Sequence, residues 1–338
     1  METAAAPGGG RSVLERSPLA RLPDRALRYG LTALAAAILA LIAYFFVRLV
    51  GEARPAFEKF GIFGFTFGGE WNVNAEHFGA LPLLVGTLIT SALALLIGVP
   101  VAVAAAIYAT ELCPARLRAP LTLLVELLAA VPSVVYGLWG IFFLAPKLQP
   151  AEQWLADRLS FIPFIGGGLV TIPNYFITGL VLAIMILPIV SAISREVMAT
   201  VPADQKEAAL GLGATRWEMI RTAVLPFSRA GIVGGAMLGL GRAIGETIAV
   251  TILIGDAPKL SGHLFEQGYS LAAVIANEFG EAQGLHRSAL FAAGLVLFVL
   301  TLLVNGVARG LVLRAARGTS RGGGGDAGAR VAETVAGA

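Results

Sequence analysis

Six long runs of apolar residues do most to restrict how this chain can fold. Each run is close to the roughly 20 residues that an α-helix needs to cross the hydrocarbon core of a bilayer. Charged residues make up only 14% of the sequence, against about 25% in soluble domains, so a water-soluble surface cannot be built from it. We therefore predict an all-α integral membrane fold with six transmembrane helices, at about 27–50, 81–110, 121–145, 174–193, 230–254 and 288–307.

Basic residues predict how these helices are oriented. Most of the 25 Lys and Arg residues fall in the two terminal segments and in the segments that follow the second and fourth runs. Because basic residues are enriched on the cytoplasmic side of membrane proteins, the N and C termini are both expected in the cytoplasm. The predicted parts are a disordered cytoplasmic N-terminal extension (1–26), a transmembrane domain (27–314) and a flexible cytoplasmic tail (315–338).

Several other functions are disfavoured by composition. The net charge of +3 is too small to indicate nucleic-acid binding, and a single cysteine, Cys113, excludes an internal disulfide framework. The three histidines are scattered singly along the chain, so no metal site is expected.

The segment between the fourth and fifth runs, residues 202–226, is unlike an ordinary loop. Its sequence predicts a short helix around Ala208, a sharp turn at Gly211 and Gly213, and a second helix over 214–224 that Pro226 ends. Apolar side chains on such a hairpin indicate an interaction surface for a partner protein, and a hairpin folded back on its own bundle is the alternative. These side chains are Leu210, Leu212, Trp217, Met219 and Ile220.

The spacing in this segment resembles the EAA motif of ABC importer permeases. The matching residues are Glu207, Ala208, Ala209, Gly213, Leu225 and Pro226, and the family usually has Ile where Ala223 stands. The resemblance implies that the segment is the coupling helix, which sits in a cleft of a separate ATPase subunit and transmits its closure. No lysine of this chain follows a glycine, so a phosphate-binding loop is absent from the sequence. ATP and Mg²⁺ are therefore expected on the partner, with no cofactor and no enzymatic activity in this chain.

Away from the span ends, three charged residues lie within the predicted spans: Glu126 in the third, and Arg242 and Glu246 in the fifth. A charge near the middle of a bilayer costs about 3 kcal/mol or more unless it meets a partner or water, so a role in the transport pathway is the default. Arg242 and Glu246 are four residues apart and are expected to share one helix face. The alternatives are mutual neutralisation for this pair and hydrogen bonding within the bundle for Glu126.

The chemistry of Arg242 favours an oxyanion as the transported molecule, because its planar guanidinium donates paired hydrogen bonds to phosphate-like oxygens. We hypothesise that Glu246 competes for Arg242 when the anion leaves, which keeps the site weak. Glu126 is a second carboxylate that could partner Arg242 across helices. Arg242 alone does not distinguish phosphate from sulfate or molybdate.

Prolines and glycines within the runs indicate kinks and close helix contacts. Pro100, Pro132 and Pro188 each remove a backbone donor from a predicted span. Glycines four residues apart in the fifth span allow another helix to approach closely. They are Gly231, Gly235 and Gly239, and then Gly241 and Gly245.

Three further runs, 78–87, 126–140 and 241–251, resemble the PstC family of phosphate importer permeases, and the similarity covers about 27–314. The resemblance implies a type I ABC importer permease fold in the bacterial plasma membrane. It also implies a pore shared with a PstA-like permease, two PstB-like ATPase subunits and a PstS-like extracytoplasmic phosphate-binding protein. Arg242 and Glu246 match the charged pair thought important in that family. A permease for another oxyanion is the alternative, and a secondary transporter is disfavoured because no inverted repeat is evident.

Overall fold

A computed structural model describes residues 22–162, 164–166 and 169–320. These residues form helices, connecting segments and one antiparallel hairpin, in which Trp71 pairs with Phe78. The elements are α1 (Leu22–Phe60), α2 (Ile62–Phe67), β1 (Trp71–Asn72), β2 (His77–Phe78), α3 (Leu81–Ile107), α4 (Ala115–Ala130), α5 (Ser133–Trp139), α6 (Ala145–Arg158), α7 (Tyr175–Ala199), α8 (Ala203–Gly211), α9 (Arg216–Met219), α10 (Leu225–Gly245), α11 (Ile248–Ile254), α12 (Leu271–Glu278) and α13 (Gly284–Ser320). Single π-helical turns continue α3 (π1, Tyr108–Leu112), α5 (π2, Gly140–Leu144) and α9 (π3, Ile220–Val224).

The chain divides into two units, 1–51 and 52–338, and α1 runs across the boundary. In the first unit, the described residues form the first part of α1, which contains the predicted span 27–50. Residues 22–26 are helical rather than disordered, because Leu, Arg and Ala favour continuation of the helix. Residues 315–320 in the second unit are likewise helical. The remainder of the predicted extension and tail, 1–21 and 321–338, lies outside the described residues.

The predicted all-α membrane fold is confirmed. Among the described residues, five helices are long and apolar enough to cross a membrane, and α4 with the helix from Ser133 to Arg158 makes a sixth if that bent pair is one span. The third predicted span, 121–145, is therefore not one straight helix, since the axis turns by 91° at Val131 and Pro132. Pro100 and Pro188, by contrast, lie inside continuous helices.

Close contacts between α3, α7, α10 and α13 form the centre of the second unit. The predicted contact through Gly231, Gly235 and Gly239 is confirmed, since a Cβ on any of them would press on Val197, Ile193 or Val190 of α7. A Cβ added to Gly241 or Gly245, by contrast, would have no atom within 4 Å. The fifth span thus presents one glycine face to α7 and leaves the other two glycines uncovered within this chain.

The end of the second unit that carries the β1–β2 hairpin is held by polar contacts. Trp71 Nε1 donates a hydrogen bond to Glu278 Oε2 over 3.0 Å, and His286 Nε2 lies 2.8 Å from the same oxygen. Beside them, Asn277 Nδ2 donates to the Tyr269 hydroxyl over 3.2 Å, and burial raises the pKa of Tyr269. These contacts join the hairpin to α12 and α13.

Gly137 is a position of close approach between α5 and α11, because its added Cβ would lie 2.8 Å from Ile252 Cδ1 and 3.3 Å from Ala249 Cα. We predict that Gly137→Val destabilises the protein by about 1–3 kcal/mol through overpacking. The thermal unfolding midpoint of the purified protein in detergent measures this loss. Gly234→Val is the matched control, because nothing lies within 4 Å of that glycine's added Cβ. Equal losses in the two variants would contradict the packing argument.

Candidate transport site and partner surface

Two breaks in the spans define the candidate transport site. At the first, α4 ends at Ala130, Val131 is extended, and Pro132 precedes α5. The Tyr136 hydroxyl donates a hydrogen bond to the Leu128 carbonyl over 2.8 Å. Because Pro132 has no N–H, the Leu128 carbonyl lacks its usual donor four residues on, and it accepts from this hydroxyl and, over 3.4 Å, from the Val131 N–H.

The second break lies between α10 and α11. Glu246 is extended (φ −70°, ψ 126°), so α10 ends at Gly245 and α11 begins at Ile248. The prediction that Arg242 and Glu246 share one continuous helix face is therefore wrong. Arg242 occupies the last turn of α10, whereas Glu246 follows the helix end. Gly241 and Gly245, which flank Arg242 and the two residues after it, weaken the helix there, since glycine disfavours helix by about 1 kcal/mol relative to alanine.

The two breaks belong to helices that contact each other. α5 packs on α11 through Gly137, and π2 packs there through Gly140, whose added Cβ would lie 2.8 Å from a methyl of Leu253. Tyr136 is buried in the same apolar cluster as Ala243 of α10, the neighbour of Arg242 in sequence, and Ala249 of α11. Interrupted helices at membrane depth commonly form the binding sites of transporters. Tyr136 is thus a site residue that the sequence analysis missed, although a lone tyrosine four residues after Pro132 was a visible signal.

Arg242 is exposed on this chain and Glu246 is half-buried. Within the described residues, no ion pair joins either of them to another side chain. A guanidinium on the membrane-embedded surface of one chain requires water, an anion or another protein chain to offset its desolvation. Arg242 is therefore the candidate anion ligand at these two breaks.

Glu126 lies on α4, where its Oε1 is 3.5 Å from Nη2 of Arg195 on α7. Arg195 Nη1 also donates to Thr122 Oγ1 over 2.6 Å. Glu126 therefore forms an ion pair with Arg195 and not with Arg242, the partner suggested from the sequence. Arg195 was missed because the fourth span was predicted to end at 193, whereas α7 continues to Ala199.

A polar cavity of about 600 Å³ opens beside this ion pair. Its lining contains both cations and carboxylates, contributed by π1, α4, α7 and α8. The charged residues of the lining are Glu111, Arg118, Glu126, Arg195, Glu196 and Lys206. Since the two signs are balanced, the cavity is suited to ion pairing rather than to binding a free anion.

The 202–226 segment forms α8, a turn and α9. Gly213 has φ +85°, which favours glycine, and Thr215 and Glu218 form a reciprocal capping box at the start of α9. The motif residues Glu207, Ala208 and Ala209 all lie on α8. The prediction that Pro226 ends the second helix is wrong. The chain continues from α9 through π3 into α10, and Leu225 and Pro226 directly follow the π-helical turn.

The apolar side chains of this segment divide between two environments. Met219 and Ile220 are buried in a small apolar cluster with Ile107 of α3 and Met198 of α7. On the surface, Leu212 is 90% exposed, and Trp217 and Leu210 are 59% and 43% exposed. The segment is therefore anchored on its own bundle by one face and presents an apolar partner surface on the other.

No group of three His, Cys, Asp or Glu side chains suited to a metal ion occurs in the part of the chain that the structure describes.

Comparison with known proteins identifies the family. Residues 98–317 match the family described as "Binding-protein-dependent transport system inner membrane component". The protein named "Phosphate transport system permease protein PstC" from Pasteurella multocida is 46% identical over 279 residues, which cover 81% of this chain and 87% of the relative. The protein of the same name from Mesorhizobium japonicum is 47% identical over 291 residues, which cover 84% of this chain and 88% of the relative.

Among solved structures, a chain of a bacterial alginate ABC transporter, in complex with an alginate pentasaccharide-bound periplasmic protein, matches with a TM-score of 0.56. The match covers 89% of this chain and 98% of that chain at 21% identity, so it supports the fold alone. The chain is a multi-pass plasma-membrane permease and not an enzyme. It belongs to the family of binding-protein-dependent inner-membrane transport components, in the branch formed by the PstC permeases.

Proposed function

We propose that this chain is one permease subunit of an ATP-driven importer of inorganic phosphate. The observation that carries the proposal is Arg242, placed at the end of a broken span in a chain whose relatives are named for phosphate transport. A second permease completes the pathway, since Arg242 is exposed on the surface of this chain.

Arg242 binds the anion through paired hydrogen bonds from its guanidinium, which stays charged at any physiological pH. Its place in the last turn of α10 puts it beside carbonyl groups at the negative end of the helix. These groups reduce its net attraction for an anion, and the Glu246 carboxylate just beyond the helix end reduces it further. A weakened site releases its cargo, which transport requires.

The partner of the exposed surface at Leu210, Leu212 and Trp217 is an ATPase subunit of the PstB type. That subunit binds ATP and Mg²⁺, and its closure moves the 202–226 segment. Both termini and this segment lie in the cytoplasm, and the β1–β2 hairpin end faces an extracytoplasmic phosphate-binding protein of the PstS type. Alternating access then opens the pathway outward to receive phosphate and inward after hydrolysis.

Another oxyanion, such as sulfate or molybdate, is the alternative cargo, since a guanidinium binds any of them. The names of the relatives favour phosphate.

The test is uptake of labelled phosphate in cells that lack their own phosphate importers and that express this chain with its partner subunits. We expect saturable uptake that excess sulfate does not suppress. Arg242→Gln should abolish it without loss of the assembled complex, because the amide keeps hydrogen-bonding capacity but not the charge. The control is Arg54→Gln, which removes an exposed guanidinium near the hairpin end. Uptake suppressed by sulfate or molybdate would assign the chain to another oxyanion.

Glu246→Gln tests the release role of that carboxylate. Loss of the negative charge should strengthen anion retention at Arg242, so we expect a lower maximal uptake rate together with a lower KM. Initial-rate uptake over a range of phosphate concentrations measures both quantities. Wild-type kinetics in this variant would refute the competition between Glu246 and the anion.

Leu212→Asp and Trp217→Ala test the partner surface. Each removes an exposed apolar contact, and a residue central to an interface contributes about 1–2 kcal/mol or more, which is roughly tenfold or more in affinity. We expect the ATPase subunit to be lost on affinity purification of the tagged permease. Glu58→Gln, at the hairpin end, is the control. Retention of the ATPase by both apolar variants would place its docking surface elsewhere.

A further inference from the structure

The polar cavity beside α8 contains a half-buried ion pair that the anion site does not use. Lys206 Nζ lies 2.6 Å from Glu111 Oε1, and the two side chains are only 23% and 8% exposed. Partial desolvation makes such a pair a poor source of stability, whereas breaking it from one side leaves a half-buried charge without its partner. The pair therefore fixes the relative position of two elements more than it stabilises the fold.

The elements joined by this pair are the partner-facing segment and a transmembrane helix. Lys206 is on α8, directly before the motif residue Glu207, and Glu111 is in π1 at the end of α3. Within π1, the Thr110 carbonyl accepts a 2.8 Å hydrogen bond from Arg118 of α4. A polar connection thus runs from α8 through one π-helical turn to α4.

α4 depends on such contacts, because none of its residues is buried. The small apolar cluster that anchors the 202–226 segment draws on α3 and α7 but contains no residue of α4. Further along, α4 is held to α7 by Arg195, through Thr122 and Glu126. Its far end is the bend at Val131, which adjoins the helices around Arg242.

We propose that the Lys206–Glu111 ion pair transmits movement of the 202–226 segment to α4, and through α4 to the break beside Arg242. The inference rests on the proposed function. Glu111 and Lys206 are positioning residues in this scheme and do not touch the transported anion. When the ATPase closes on α8, the pair makes π1 follow, and the Arg118 hydrogen bond makes α4 follow π1. Without the pair, the ATPase still closes and hydrolyses ATP, but α4 no longer moves together with the 202–226 segment.

The experiment measures ATP hydrolysis and phosphate uptake together, in proteoliposomes that contain the complete transporter and its binding protein. In Glu111→Gln and Lys206→Gln, we expect the phosphate transported per ATP hydrolysed to fall about fivefold or more, which is the low end of typical coupling between sites. The charge swap Glu111→Lys with Lys206→Glu should restore most of the ratio. Arg54→Gln is the control, because it breaks an ion pair of the same 2.6 Å length whose side chains are 77% and 62% exposed.

A second variant controls for the possibility that a single substitution prevents folding. Glu111→Gln combined with Lys206→Met removes both charges, so neither is left without its partner, and the complex should assemble. We expect its transport ratio to remain low. A wild-type ratio in this double variant, or equal losses of hydrolysis and uptake in proportion to lost complex in every variant, would overturn the inference.

The same assay separates this inference from the proposed function. If the wild-type complex transports sulfate or molybdate rather than phosphate, the cargo assignment fails. The ratio of that anion to ATP then tests Glu111 and Lys206 in the same way, with a fall supporting the inference and a wild-type ratio overturning it.

Discussion

Backbone groups inside a bilayer must find hydrogen-bond partners within the protein, and this constraint governs both broken spans. A helix that stops at membrane depth leaves carbonyl groups without partners in their own helix. Here the Tyr136 hydroxyl reaches the Leu128 carbonyl, and the Thr247 hydroxyl reaches the Gly245 carbonyl over 3.3 Å. The two breaks are tolerated because these local bonds offset part of the cost, and because α5 and α11 cover each other. The site around Arg242 depends on this arrangement, since a continuous fifth helix would place Glu246 back beside Arg242.

Much of the fold follows from sequence patterns that act locally. The apolar runs locate the spans, Pro132 locates the bend, and the glycines at 231, 235 and 239 locate the contact with α7. The break at Glu246 could not be derived in the same way. Spacing of four residues favours one helix face, and glycine at 245 weakens the helix without dictating where it ends. The extended conformation of Glu246 accompanies the packing of α11 on α5, which is a contact between distant parts of the chain.

The candidate site was predictable to the extent that its chemistry is local. A charge within an apolar run is visible in the sequence, so Arg242, Glu246 and Glu126 were identified as residues needing an explanation. The partner of Glu126 was not visible, because Arg195 and Glu126 lie 69 residues apart in sequence. The motif in 202–226 was recognisable for a different reason. Its pattern is dictated by α8, the positive φ of Gly213 and the capping box of α9, all of which are short-range features.

Coupling between the ATPase and the transport site requires an element whose position is fixed by directional contacts. The same element must also move at a low free-energy cost. Apolar packing does not meet both demands well, since close-packed interiors resist displacement. α4 has no buried residue and is positioned by ion pairs and hydrogen bonds at Arg118 and Glu126. Charged contacts are directional and can be exchanged without opening a cavity in a core. The helix between the partner-facing segment and the transport site is thus the one whose position is set by polar contacts, and a small shift of α8 can be passed on without disrupting α3 and α7.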